Sequence, residues 1–160
     1  FEIIAGELSR FIASVISRDL SASASERMLV AQSRQAQLVA LESDVLSLCR
    51  HLQGRPDDET TQSLCSSVIE AADMMLLTLH EAVKEQDHDD LRMLMMMTDA
   101  RNQTLRDIRQ RYFERQSQLS AEQRQTIVYA THGFDRLAAG VRHYAQISTE
   151  LAVVDDEPGA

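Results

Sequence analysis

The chain has 160 residues, of which 44% are hydrophobic and 4% aromatic, and its formal net charge is −9. The length is enough for one domain with a hydrophobic core, and the apolar content excludes wholesale disorder. The acidic balance argues against nonspecific nucleic-acid binding and against direct binding to an anionic membrane, because both need clustered Lys and Arg. Few prolines, glycines and aromatic residues favour helices over strands.

The first part of the chain predicts two helices. One is expected over about residues 1–18, and the stretch DLSASAS after it predicts a short connection with a Ser N-cap. The second is expected over about residues 25–53, with Gly54 as its C′ residue and Pro56 beyond it. Their apolar stripes are Ile3, Ile4, Leu8, Phe11, Ile12, Val15 and Ile16 in the first, and Leu38, Leu41, Val45, Leu48 and Leu52 in the second.

Three further helices are predicted in the rest of the chain. The third begins near Asp57 or Asp58 and is followed by a turn over 84–90, and Ser120 with Gln123 fits a capping box before the fifth. Positions predicted to face inward are Leu64, Val68, Ala71, Ala72, Met75, Leu79 and Val83 in the third helix, Leu91, Leu94, Met95, Thr98, Leu105, Ile108 and Tyr112 in the fourth, and Ile127, Ala130, Phe134, Leu137, Val141, Tyr144, Ser148 and Leu151 in the fifth.

Long helices joined by short turns predict an all-α, antiparallel bundle of about five helices. The order of a helix, a Leu-Ser turn and a heptad helix ending in an Arg-His pair occurs twice. This quasi-repeat predicts a partial repeat of two helices over 1–53 and a complete repeat of three over 57–152, with a flexible acidic tail over 153–160.

The residues that could carry chemistry form no catalytic or metal-binding motif. Cys49 and Cys65 lie in predicted helices without a CxxC pair, which is typical of reduced cysteines that fill a core. His132 and His143 are too far apart to share a metal and are predicted to lie off the inward seam. GxSxG does not occur, and ExxH occurs once, from Glu85 to His88 in the predicted turn, whereas a di-iron bundle needs it on two helices; we therefore expect no catalytic residue and no cofactor.

Two local concentrations of residues remain open to alternative interpretations. The methionine-rich run at 93–97 surrounds its helix, which favours core filling, with a partner surface as the alternative. Five arginines are spread over the second half of the fourth helix, where they predict a solvated face or, alternatively, a site for an anion or acidic partner; they are Arg101, Arg106, Arg109, Arg111 and Arg115.

No apolar run approaches the ~18 residues that a membrane-spanning helix needs, and no signal peptide is visible. The chain begins with Phe1 and not with Met. We therefore expect it to be a piece of a longer protein, in which membrane segments could lie upstream.

The chain resembles the PhoU-like helical domain at the cytoplasmic C-terminus of bacterial Na/Pi-cotransporter family membrane proteins. The resemblance covers nearly the whole chain and depends on RDLSASASERMLVAQSRQAQLVALESDV, the new helix after GRPDD, the hairpin at KEQDHDDL, and RDIRQRYFERQSQLSAEQRQTIVYATHGFDRLAAGVRHYAQI. It implies a soluble cytoplasmic domain of an inner-membrane protein, whose partner is the membrane-embedded transporter segment of the same protein.

The resemblance does not extend to a metal site. PhoU proteins typically place two carboxylates four residues apart on a core helix, where they bind metal clusters. Here Glu42 is followed by Leu46 and Asp135 by Ala139, so the second carboxylate is missing in both places. Glu42 and Asp135 are therefore interpreted as positions of a lapsed acidic motif, and no metal is expected.

The leading expectation is a non-catalytic regulatory or interaction domain of a sodium-dependent phosphate transporter family protein. A free-standing PhoU-like phosphate-signalling adaptor is the main alternative, and a metal-binding helical bundle is the third. Because the apolar stripe of the first helix is wider than one neighbour can cover, we also expect a homodimer formed through this helix, with the Met-rich start of the fourth helix as a further contact.

Overall fold

Helices account for nearly all of the computed structural model, which describes residues 2–17, 21–53, 58–115 and 119–155. Across these residues the chain forms five α-helices and no strand. They are α1 (Glu2–Ile16), α2 (Ala22–Leu52), α3 (Glu59–Glu85), α4 (His88–Arg115) and α5 (Ala121–Asp155). The prediction of an all-α bundle of about five helices is confirmed. Its division into two repeats stays a prediction.

Side-chain caps determine where α2 and α3 begin. The hydroxyl of Ser21 accepts a hydrogen bond from the N–H of Ala24 at 3.3 Å, so α2 starts three residues earlier than the predicted residue 25. The carboxylate of Asp58 accepts from the N–H of Thr61 at 2.9 Å, which confirms the predicted start of α3. The predicted C′ residue of α2, Gly54, lies outside the described residues.

The start of α5 is a capping box, as predicted. The N–H of Gln123 donates to the hydroxyl of Ser120 at 3.1 Å, and the N–H of Ser120 donates to the side-chain oxygen of Gln123 at 2.7 Å. The helix then continues to Asp155, which is three residues into the predicted tail. The remainder of that tail, 156–160, lies outside the described residues.

The connection between α3 and α4 is only two residues long, so the turn predicted over 84–90 was too wide. Gln86 adopts left-handed backbone angles, with φ 57° and ψ 34°, and thereby ends α3. Asp87 follows and caps the next helix, because its carboxylate accepts from the N–H groups of Asp89 and Asp90 at 2.9 and 3.0 Å. This tight hairpin makes α3 and α4 antiparallel neighbours.

Replacing Gln86 by glycine is expected to raise the free energy of unfolding by about 1 kcal/mol, because a left-handed conformation costs a residue with a Cβ roughly that much. Urea denaturation of the two proteins measures the difference. Gln53→Gly is the matched control, since Gln53 also ends a helix but has right-handed angles, with φ −66° and ψ −32°. A gain of equal size in both variants would contradict the conformational explanation.

The helix α5 is the centre of the bundle: α2, α3 and α4 all pack against it, while α1 packs against α2. Its Ile127, Leu137 and Val141 have no exposed surface, and Phe134 is 1% exposed. The inward positions predicted for α5 are confirmed through Ser148, as are most of those of α3 and the first half of α4. Those at Leu105, Ile108, Tyr112 and Leu151 lie outside the described side chains.

Two glycines allow α2 and α5 to approach each other closely. A Cβ added to Gly133 would lie 2.8 Å from the Cδ1 of Leu48, and one added to Gly140 would lie 2.8 Å from the Cδ2 of Leu41. The amide of Gln37 also donates to the carbonyl of Gly140 at 3.1 Å. Leucine side chains on α2 therefore lie directly against the two glycines of α5, and a Cβ at either glycine would require the leucine to shift.

Polar contacts fix the register of the same pair of helices. Arg34 donates to the carbonyl of Ser148 at 3.2 Å, and the guanidinium of Arg136 pairs with the carboxylate of Asp44. Residue numbers rise along α2 as they fall along α5, so the two helices are antiparallel. Asp44 is largely buried, with 13% of its side chain exposed, whereas Arg136 extends into solvent.

Three predictions about buried positions were wrong. Leu38 was placed in the inward seam but is 40% exposed, because α5 covers the side of α2 that carries Leu41 and Leu48. Cys49 was expected to fill the core but is exposed, whereas Cys65 is buried, and the two cysteines form no disulfide. Core filling was predicted for the methionine run, and it holds only in part. Met95 packs on the core, but Met93, Met96 and Met97 are exposed.

Candidate functional site

An open apolar groove lies between α2 and α3, with α5 beneath it, and has a volume of about 400 Å³. Its floor contains Leu41, Leu79 and Tyr144, which are all more than nine-tenths buried. Leu38 of α2 stands at its edge. The complete lining is Leu38, Leu41, Glu42 and Val45 from α2, Leu76, Leu79, His80 and Val83 from α3, and Tyr144 from α5.

The two walls of the groove carry the same sequence pattern. Residues 38–45 read LVALESDV and residues 76–83 read LLTLHEAV, so each wall has Leu, Leu, a titratable residue and Val at positions i, i+3, i+4 and i+7. This spacing places four side chains on one face of a helix. Glu42 and His80 therefore hold equivalent positions on opposite walls, each between apolar residues.

The two acidic positions identified in the sequence lie in different surroundings. Glu42 is half-buried in the groove wall, and Asp135 is half-buried on α5 but is not among the groove residues. On a helix, residues one or two apart do not face the same way. Because Asp44 and Arg136 face each other across the α2–α5 contact, Glu42 and Asp135 point elsewhere.

Sequence reasoning missed Asp44, which is the carboxylate that joins α2 to α5. The arginine that follows Asp135 in the sequence, Arg136, pairs with Asp44, 92 residues away along the chain. The positions of these residues along α2 and α5 could have indicated the pair. If Gly133 is set opposite Leu48 in antiparallel helices, the register brings residue 136 close to residue 44.

Within the residues that the structure describes, no three His, Cys, Asp or Glu side chains come together in a way that could hold a metal ion. His132 and His143 are both exposed on α5, which confirms that they lie off the inward seam. His51 is also exposed, and its ring lies 4.6 Å from the ring of Tyr129.

A second uncovered apolar surface lies on α1. Its residues Ile4, Leu8 and Phe11 are 73%, 45% and 62% exposed, whereas Ile12 is 4% exposed on the side that faces α2. The buried amide of Gln35 joins the two helices by donating to the backbone of α1 and to a serine hydroxyl there. The helix α1 therefore has one apolar face in contact with α2 and another in solvent.

The arginine-rich half of α4 was the other candidate site, and its arginine side chains lie outside those that the structure describes. As for membranes, none of the described helices combines the length and the apolar character that crossing a bilayer requires.

The fold and the groove define a class of protein: a helical bundle with an open apolar groove between two of its helices. Comparisons with protein-family models, with curated proteins and with solved structures found no match. The resemblance to PhoU-like domains accordingly stays a prediction from the sequence.

Proposed function

We propose that this chain is a non-catalytic, PhoU-like regulatory or interaction domain of a sodium-dependent phosphate transporter family membrane protein. The transporter context depends on the resemblance in sequence. The observation that supports an interaction role is the groove: two helix walls, each with Leu, Leu, a titratable residue and Val, enclose an apolar space of about 400 Å³. In this role the groove holds an amphipathic helix, which places apolar residues at spacings of three and four into such a site.

An apolar face that is exposed to water is unfavourable unless a partner covers it. Burying apolar surface contributes roughly 25 cal/mol per Å², and large exposed apolar patches usually mark interaction sites. The bundle has such surface both in the groove and along α1. Among the described residues, no three His, Cys, Asp or Glu side chains come together at either place in a way that could hold a metal ion.

The regulatory role can be tested by phosphate uptake in cells that make the parent transporter. Leu38→Glu places a charge at the edge of the groove, and Leu77→Glu places the same charge on an exposed site of α3 that does not line the groove. We expect the first variant to change how uptake responds to external phosphate, and the second to leave it unchanged. If removing residues 1–160 altogether leaves uptake the same at every phosphate concentration, the proposal is wrong.

The non-catalytic, metal-free character is tested separately. We expect the purified chain to retain much less than one iron, zinc or manganese ion per molecule after dialysis, because Glu42 and Asp135 each lack a second carboxylate four residues on. Elemental analysis by mass spectrometry measures this content. A Glu42→Gln, Asp135→Asn double variant is the control and should have the same content. Stoichiometric metal that the double variant loses would contradict the proposal.

A further inference from the structure

The carboxylate of Glu42 has apolar surroundings on the α2 wall of the groove. The positions one turn before and one turn after it on the helix face all hold apolar residues, namely Leu38, Val39, Val45 and Leu46. Leu38, Val39 and Leu46 are 40%, 42% and 47% exposed, and Val45 is partly buried against the core. Glu42 therefore lies at the centre of an apolar surface that is largely open to solvent.

This carboxylate is not paired within the described part of the chain. Among the residues that the structure describes, Glu42 takes part in no hydrogen bond and no ion pair, whereas the nearby Asp44 is paired with Arg136. The apolar neighbours one turn away on α2 supply no cation. With histidine taken as neutral, Glu42 is the one charged residue among those that line the groove. The groove thus presents a single unpaired negative charge.

Within the described residues, a second hydrogen-bonding group without a partner lies on the floor of the groove. Tyr144 is 7% exposed, and its hydroxyl makes no hydrogen bond with the described residues. A buried tyrosine hydroxyl usually has a partner, because the group is costly to desolvate without one. Since a hydroxyl can both donate and accept, the floor offers a polar contact beside the apolar side chains of Leu41 and Leu79.

The exposed apolar surface extends beyond the groove itself. Val39 and Leu46 do not line the groove, although they lie one turn from Glu42 on the same helix. A small molecule that fills the groove volume of about 400 Å³ would leave both exposed. An α-helix with its side chains is about 10–12 Å wide, so a helix that lies along the groove covers the rim as well. A helix is therefore the occupant that buries more of the apolar surface.

The α2 wall determines where a charged residue stands on such a helix. From Leu38 to Val45 the wall spans seven residue steps, a rise of roughly 10.5 Å, and Glu42 lies four steps along it. A helix with apolar residues at i, i+3 and i+7 and a basic residue at i+4 has the same spacing. In the opposite chain direction the basic residue falls one step away, so both orientations place its charge near the middle of the groove.

We propose that the partner of the groove is a basic amphipathic helix, whose apolar stripe packs on Leu38, Leu41 and Leu79 and whose central lysine or arginine pairs with Glu42. A purely apolar or acidic helix would cover the carboxylate without a partner, which is costly, whereas a cation forms a charge-assisted hydrogen bond with it. The net charge of −9 also attracts a cationic partner. This inference rests on the proposed use of the groove for docking a helix and does not depend on the transporter context.

Synthetic peptides test the charge of the partner. Each is about 18 residues long, so that it can form a helix, and has leucines at i, i+3 and i+7 in a background of alanine and glutamine. Three versions carry lysine, glutamine or glutamate at i+4. Fluorescence anisotropy with the whole 160-residue chain measures the dissociation constants. We expect the lysine peptide to bind at least roughly tenfold more tightly than the glutamate peptide.

The variant Glu42→Lys should reverse this order, so that the glutamate peptide binds more tightly than the lysine peptide. The matched control is Glu70→Lys, which makes the same change of charge at an exposed position of α3 that does not line the groove. This control should keep the preference for lysine. Circular dichroism checks that both variants keep the helical content of the wild type.

Three results would overturn the inference. They are equal affinities of the three peptides, a preference that Glu70→Lys removes as fully as Glu42→Lys does, and no binding of the lysine peptide at about 1 mM. Equal affinities would still leave the docking of a helix intact. None of these results alters the phosphate-uptake test of the proposed function, so the two failures are distinguishable.

Discussion

Replacing Leu137 by alanine is expected to lower the free energy of unfolding by about 2–5 kcal/mol, the usual range for removing a buried leucine side chain. Leu137 has no exposed surface and lies on α5 between Phe134 and Val141, in the core cluster that α2, α3 and α4 share with it. The loss has two sources, namely the transfer of the apolar atoms and the cavity that the surrounding helices cannot fill. Urea denaturation followed by far-ultraviolet circular dichroism measures the change.

The control is Leu77→Ala, which removes the same atoms from a side chain that is 54% exposed. We expect this control to change the free energy of unfolding by less than about 1 kcal/mol. Both variants must be compared with the wild type at one protein concentration, because association stabilises the folded state. If Leu137→Ala behaves like Leu77→Ala, then α5 is not the central helix of the bundle.

The second large decrease in the free energy of unfolding is expected when Gly140 is replaced by leucine. Even a Cβ at this position would meet the Cδ2 of Leu41 at 2.8 Å and the amide nitrogen of Gln37 at 3.3 Å, and a leucine side chain extends further. Inserting extra side-chain atoms into a packed contact lowers the free energy of unfolding by about 1–3 kcal/mol. Since the carbonyl of Gly140 also accepts from Gln37, a forced separation of α2 and α5 strains that hydrogen bond as well.

The matched control for this variant is Gly6→Leu. Gly6 also lies within a helix, but a Cβ added there would meet nothing within 4 Å. Leucine favours a helix over glycine by nearly 1 kcal/mol, so the control should be neutral or stabilising. Denaturation curves with opposite shifts for the two variants are the expected result. Stabilisation of both would mean that α2 and α5 do not approach each other closely at Gly140.

The sequence predicted the helices and their inward faces well because both depend on local information. Apolar residues at steps of three and four mark the buried side of α5 from Ile127 to Tyr144, and cap residues such as Ser120 mark a helix start. The turn after α3 was predicted too wide because its end depends on one left-handed residue. A glycine at this position would have indicated a left-handed residue, but a glutamine such as Gln86 does not.

The groove could not be predicted, because it depends on which helices are neighbours. Leu38 and Leu41 look alike in a heptad count, yet α5 covers only one of them. The repeated pattern at 38–45 and 76–83 was visible in the sequence, but nothing local says that the two stretches face each other. The same holds for Asp44, whose partner Arg136 is 92 residues away. Glu42, by contrast, was identified for an acidic motif and proves to line the groove.

The central position of α5 has a consequence for how the chain folds during synthesis. The groups that join α2 to α5 are far apart in sequence: Arg34 and Ser148 are separated by 114 positions, and Gln37 and Gly140 by 103. Such high contact order slows folding, because a long loop must close before the contacts form. A ribosome also releases α5 after α1 to α4. The apolar stripe of α2 is thus without its α5 partner until then, and we expect the nascent chain to be more prone to aggregation than the finished bundle.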